Sequence, residues 1–159
     1  MLTKEEKRTR WGDGPWVDEP DRVEWRAHGF PVLIRRGGFG ILCGYVAVPP
    51  GHPWHGLAID DLSRHVHAHG GINYAAPCQG DDVCHVPDAG ESDHIWWVGF
   101  DCGHGFDLIP EIHKLLPDLE SHTGVDPAFA VRYRDLAYVK AEAEALALQA
   151  SIAGGGSDR

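Results

Sequence analysis

The chain is poor in sulfur, has no excess of positive charge and contains no long apolar run. No segment approaches the roughly 20 apolar residues needed to span a bilayer. The start, Met1–Arg10, is polar and charged and has no apolar stretch of the kind that directs export. Neither a membrane partner nor secretion is therefore expected, and the expected setting is the cytoplasm. In that compartment the four cysteines, Cys43, Cys78, Cys84 and Cys102, are expected as thiols or metal ligands rather than as two disulfides. Lys and Arg number 14 against 24 Asp and Glu, a formal net charge of −10. Nucleic acid is disfavoured as a partner, because holding phosphates requires clustered cations. Basic residues gather only at Lys4–Arg10, Arg35–Arg36 and Arg132–Arg134. A small anion is still compatible, since one or two placed arginines can hold it. The Walker, dinucleotide-binding, His-Glu-x-x-His and Gly-x-Ser-x-Gly motifs are all missing, which removes the commonest nucleotide, zinc-protease and serine-hydrolase assignments.

What is present suits one domain. A length of 159 residues closes a single core, and 43% hydrophobic with 24% charged residues is an ordinary globular balance. Residues 1–22, with Gly12, Gly14, Pro15 and Pro20, read as an N-terminal arm that Trp11 and Trp16 can pin to the body. Val23–Ala27, Phe30–Arg36 and Ile41–Val48 read as strands separated by His28-Gly29 and Gly37-Gly38, the second glycine pair being expected to supply left-handed turn positions. Val66–Tyr74 has period-two character. Ile95–Phe100 is apolar on both faces, so a central strand covered on each side is expected. Leu136, Val139, Ala143, Leu146 and Ala150 recur at helical spacing, which predicts a helix from about Asp135 to Ile152, capped by Asp135 and stopped by Gly154-Gly155-Gly156. A short helix over Pro110–Leu116 begins with proline in its first turn. The fold class is thus α+β, a mostly antiparallel sheet with a long C-terminal helix packed on it. The body spans 23–153, and 154–159 is a flexible tail.

Two segments concentrate chemistry. If His65, His67 and His69 lie on an extended strand, alternate side chains share a face about 7 Å apart, a spacing at which two imidazoles can share a metal. Gly70-Gly71 follows and lets backbone or ligand approach closely. Asp101-Cys102-Gly103-His104-Gly105-Phe106-Asp107 follows the central strand, where rigid scaffolds display functional groups. Three readings of that loop compete. Cys102 is a nucleophile favoured by His104; or Asp101, His104 and Asp107 ligate a metal with His69; or Cys102 is a small buried hydrophobe and Asp107 caps the next helix. Acid–base or metal use ranks above the thiol. Two lesser constellations are His52-Pro53-Trp54-His55, whose His52 could face the His69 pocket or whose Trp54 anchors the loop, and Cys78-x5-Cys84-His85, a weak zinc pattern.

Four strings carry a resemblance: Cys43-Gly44-Tyr45-Val46-Ala47-Val48-Pro49, His69-Gly70-Gly71-Ile72-Asn73-Tyr74, Trp96-Trp97-Val98-Gly99-Phe100-Asp101-Cys102-Gly103-His104, and Tyr133-Arg134-Asp135-Leu136-Ala137-Tyr138-Val139-Lys140-Ala141-Glu142. Over residues 22–149 the chain resembles a family of small uncharacterised proteins of bacteria and their phages. Where that family usually has His-Gly-Gly-Leu-Thr-Tyr, this chain has Ile72-Asn73, so a role of the threonine hydroxyl passes to the Asn73 amide. The resemblance implies a shared fold and a pocket built from His69, Asp101, Cys102, His104 and Asp107.

The leading expectation is a small intracellular hydrolase or lyase acting on a small molecule. His69, Asp101, Cys102, His104 and Asp107 are its catalytic candidates. His67, His69 and His104 are candidate ligands for zinc or another divalent ion. The alternative is a non-catalytic module that binds a small ligand or a host protein, with Trp54, Trp96 and Trp97 near its contact surface.

Overall fold

The structure, a computed structural model, describes residues 1–78, 80, 83–85, 87–117 and 131–155. β-branched and aromatic runs build β1 (Arg22–Ala27), β2 (Phe30–Arg36) and β3 (Leu42–Val48) as an antiparallel meander. The β1–β2 turn places His28 at φ 51° and Gly29 at φ 87°, the left-handed pair that a two-residue hairpin needs. In the β2–β3 turn the left-handed position is Gly40, at φ 88°, and not Gly37 or Gly38. Gly40 is needed for a second reason, because a Cβ there would lie 2.8 Å from Pro110 and 3.0 Å from the Trp11 ring.

Two further strands, β4 (Tyr74–Pro77) and β5 (Trp96–Asp101), complete a sheet of order β1-β2-β3-β5-β4, antiparallel throughout. β4 is an edge strand and ends on Pro77, whose missing N–H is harmless there. β5 lies between β3 and β4 and is apolar on both faces, as its sequence demands. One face buries Val32, Ile34, Val46, Val98 and Phe100 under Val139, Ala143, Leu146, Ala147 and Ala150 of the long helix α4 (Leu136–Ala153). The other face buries Leu33, Tyr45, Ala47 and Trp97 against Val83 and Ile95. Burying such side chains stabilises by roughly 2 kcal/mol each, and this packing supplies most of the helix's stability. Asp135 caps α4 by accepting from the Tyr138 N–H at 2.9 Å.

Residues 1–22 form a helix, α1 (Lys4–Trp11), and a 3₁₀ turn, Pro15–Val17, before β1 begins. Thr3 and Glu6 close a reciprocal capping box at the start of α1. Trp11, Trp16 and Val17 are buried in a third apolar cluster with Leu108 and Tyr133 at its edge. Two short helices, α2 (Ile59–Leu62) and α3 (Pro110–Leu115), complete the elements, and α3 begins on the proline expected there. No described helix is long and apolar enough to cross a membrane.

Three expectations are corrected. Val66–Tyr74 is not a strand: Leu62–Val66 is a turn, Ala68–Gly71 a second one, and only Tyr74 enters β4. The alternation of histidines imitates an amphipathic strand, whereas Gly70 at φ 67° and Gly71 at φ 91° turn the chain sharply. Cys78 and Cys84 form a disulfide and are neither thiols nor zinc ligands, while Cys43 and Cys102 are free and buried. Trp54 and Trp97 are buried, so they form no contact surface, and Trp54 anchors its loop from inside. Residues 156–159 of the expected tail lie outside the described residues.

Candidate functional site

Asp107 is the hub. Its segment is fixed by a bridge to Arg132, with the Leu108 N–H donating to the Arg132 carbonyl at 2.9 Å. This tie carries Asp107 to the start of α4, where Arg134 and Tyr138 wait. The side chain is fully buried and the carboxylate accepts from four donors. These are His69 Nε2, 2.9 Å from both oxygens, the His104 backbone N–H at 3.0 Å, His104 Nδ1 at 3.1 Å and Arg134 Nε at 2.9 Å. Burial works against the charged carboxylate, but donation from His69, the His104 N–H, Arg134 and the His104 ring outweighs it. The carboxyl is held below its usual range. Asp107 does not cap α3, whose N-cap is Ile109.

As neutral imidazoles the two rings take opposite tautomers against this carboxylate. A carboxylate only accepts, so His69 carries its proton on Nε2 and His104 on Nδ1. His69 Nδ1 is then an acceptor, and the Tyr138 hydroxyl donates a hydrogen bond to it at 2.8 Å. Its backbone N–H donates to Glu142 at 3.1 Å. His69, only 8% exposed, thus has both ring nitrogens engaged. His104 differs, because its Nε2 carries a lone pair and its side chain is 25% exposed. The nearest carboxylate oxygen, Asp101 Oδ1, stands 3.8 Å from that nitrogen, beyond hydrogen-bond range.

Local sequence explains the placement. A Cβ on Gly70 would fall 2.1 Å from Cε1 of His104, so only glycine lets this turn pass the ring. Phe106 stacks on His104, with centroids 5.4 Å apart and planes 8° from parallel, and is itself half exposed. Arg134 lies 5.0 Å from the Tyr138 ring centroid and 5.9 Å from that of Phe106. Asp101 accepts from the Asn73 amide at 2.6 Å and from the Gly103 N–H at 3.0 Å.

Of the residues singled out from sequence, His69, His104 and Asp107 come together and Asp101 stands next to them. Cys102 is 2% exposed, and burial, then the Asp107 charge, pushes its thiol well up, so it stays protonated and packs as a small hydrophobe. His65 and His67 are exposed, and His67 is clamped through its backbone to Gln149. His67 is not part of the His69–His104–Asp107 group. His52 bonds the Ala150 carbonyl at 2.7 Å. Ala150 is twelve residues along α4 from Tyr138, or about 18 Å of helix, so His52 serves another part of the fold. Tyr138, Arg134 and Glu142 were missed, although their interval of four residues is a polar stripe legible beside the apolar one.

His69, His104 and Asp107 each offer one ligand atom, all within 4.8 Å of one another, a group that could hold a metal ion. Comparison of the chain with family models, curated proteins and solved structures finds no match.

Proposed function

We propose that the protein is a small enzyme, a hydrolase or lyase acting on a small molecule, in which His104 is the general acid–base. The observation that supports this is the unequal engagement of the two imidazoles on one buried carboxylate. Asp107 fixes the tautomer of His104 and leaves its Nε2 without a hydrogen-bond partner among the described residues. That is the arrangement in which a carboxylate orients a histidine for proton transfer. Protonation at Nε2 gives an imidazolium whose Nδ1–H still faces Asp107, so charge develops against a preformed partner. Asp101, 3.8 Å away, accompanies that nitrogen and can orient a substrate hydroxyl or water between them. His69 and Tyr138 are positioning residues, since their hydrogen-bonding atoms already serve each other and Asp107.

The test is turnover of a panel of small esters, phosphoesters, amides and β-hydroxy acids by wild type, H104Q and D107N. A substrate should be found whose rate falls about 10²–10⁴-fold in H104Q, the usual worth of a general acid–base, with near-ultraviolet circular dichroism unchanged. Equal rates in H104Q and wild type would exclude His104. No turnover of any member would favour a binding module for a small ligand or host protein.

A second reading is supported by the compactness of His69, His104 and Asp107, namely that the site holds zinc or another divalent ion. Arg134, donating to the same carboxylate, opposes it by placing a fixed cation at 2.9 Å. Elemental analysis of untagged protein separates the two readings: one metal per chain, lost in H69A and H104A, supports the metal site. A phage or bacterial setting and kinship with the family whose motifs the chain resembles belong to the same proposal. So does the cytoplasm, against which the Cys78–Cys84 disulfide weighs, such bonds being rare in reducing compartments.

A further inference from the structure

The sheet face opposite α4 is covered by a segment, residues 83–95, that has no helix or strand among its described residues. Val83 and Ile95 are buried there against Leu33, Tyr45, Ala47 and Trp97. Such a cover is held at points. The Arg22 guanidinium donates to the Cys84 carbonyl, and His55 Nε2 donates to the His94 carbonyl at 2.8 Å. Glu91 accepts from His85 Nε2 at 3.1 Å and pairs with Arg26 at 2.9 Å. The Arg26 side of that pair is open to solvent, where ion pairs hold weakly. One fastening is covalent: Cys78, the residue after the edge strand β4, is joined to Cys84, the neighbour of buried Val83. The disulfide thus ties the end of β4 to the cover.

This bond differs from a structural crosslink. A chain of 159 residues with a core on both sheet faces has no need of one, unlike small domains that cannot close a core. The two cysteines are six positions apart, and on the chain-entropy account short loops restrain the unfolded chain least. Cys78 is exposed and Cys84 half-buried, so an incoming thiolate meets Cys78 first, and exposed disulfides are the labile, regulatory ones. Cys43 and Cys102 are buried, burial pushes both thiols up, and neither supplies a thiolate for reshuffling. We propose that Cys78–Cys84 is a reversible redox clasp, opened by an external dithiol, whose state sets how firmly β4 and the 83–95 cover are held. A thiolate of the dithiol attacks the Cys78 sulfur, the S–S bond breaks, and Cys84 leaves as a thiolate and takes up a proton. The second thiol of the reagent then attacks the mixed disulfide, releases Cys78 as a thiol and closes its own S–S bond. The dithiol loses the two electrons that the cysteine pair gains. β4 begins beside Asn73, whose amide donates to Asp101, so the clasp and the His104 site share a strand. The inference needs no activity at that site.

The experiment treats the oxidised full chain with dithiothreitol without denaturant, traps thiols by alkylation, and compares amide hydrogen exchange before and after. Cys78 and Cys84 should become alkylated while Cys43 and Cys102 stay protected. Exchange should rise about tenfold or more in β4 and residues 83–97, stay unchanged in α4, and return on reoxidation with an oxidised dithiol. The double variant C78S/C84S should exchange like the reduced chain with no reagent present. If that variant fails to fold, the reduced wild type alone decides. Three results would overturn the proposal: reduction that requires denaturant, reduction that leaves exchange across 74–97 unchanged, or reduction that unfolds α4 together with the cover. The first and last would make the bond a structural one.

Discussion

Asp107 illustrates how one buried residue can set both chemistry and stability. Its carboxylate is out of water and satisfied by four donors, so replacing it by an amide leaves Arg134 without its counter-ion and turns one acceptor oxygen into a donor facing His69, His104 or Arg134. D107N should destabilise the fold by about 3 kcal/mol, the cost of breaking a buried ion pair from one side, measured by urea denaturation at pH 7. The pH dependence has a definite sign. A carboxyl held low in the folded state binds its proton more readily when unfolded, so its contribution is complete above the unfolded value of about 4 and is lost as pH falls through the folded one. Asp21, with burial opposed by Lys7 and Arg36, is lowered as well and adds to the same acid loss. Wild type should therefore lose stability steeply below about pH 4, and D107N less steeply. Equal slopes for the two would contradict the role given to Asp107.

Elements position the site through turns and helix starts, which are where sequence was least legible. G70A should cost about 1–3 kcal/mol in strain and displace the His104 ring, whereas G71A, with nothing within 4 Å of its Cβ, should cost only the backbone strain at φ 91°. Denaturation midpoints and His104 ring resonances of both variants check this, and equal effects would deny the close approach at Gly70. The strands over 22–48 and 96–101 were readable because β-branched and aromatic residues fill both faces between turn residues. The long helix was readable because Leu136, Val139, Ala143, Leu146 and Ala150 repeat at its period. His65, His67 and His69 misled because period-two spacing is only a strand signal if the backbone is extended, and here two left-handed glycines follow at once. Tyr138 and Arg134 were hidden for a different reason: their partners, His69 and Asp107, are 69 and 27 residues away in sequence, and the Asp107–Arg132 bridge helps bring the segments together.

At the scale of the molecule, the first 22 residues are structural and reach the site indirectly. Glu19 accepts from the Tyr133 hydroxyl at 2.6 Å and from the Leu136 N–H at the start of α4. Lys7, 3% exposed, bonds the Trp16 and Glu19 carbonyls and pairs with Asp21. The helix that presents Tyr138 and Glu142 to His69 is thereby seated on the N-terminal segment. E19A should lower stability by about 3 kcal/mol, since it takes a carboxylate from a nearly buried Arg36 and leaves the part-buried Tyr133 hydroxyl proton without its acceptor. It should also loosen the His69–Tyr138 contact, seen as a shifted Tyr138 resonance; a neutral E19A would detach the segment from the site. The chain is thus a sheet covered on both faces, with His69, His104 and Asp107 gathered where β5, the His69 turn and the start of α4 converge.

That chemistry depends on His104 presenting a bare Nε2 while His69 does not. Long-range ¹H–¹⁵N correlation of the histidine rings in ¹⁵N-labelled protein, at a pH where both are neutral, reads the two tautomers directly. The expected result is a protonated Nδ1 for His104 and a protonated Nε2 for His69, with the His104 preference lost in D107N. His104 protonated on Nε2 would contradict the assignment of that nitrogen as the acid–base group.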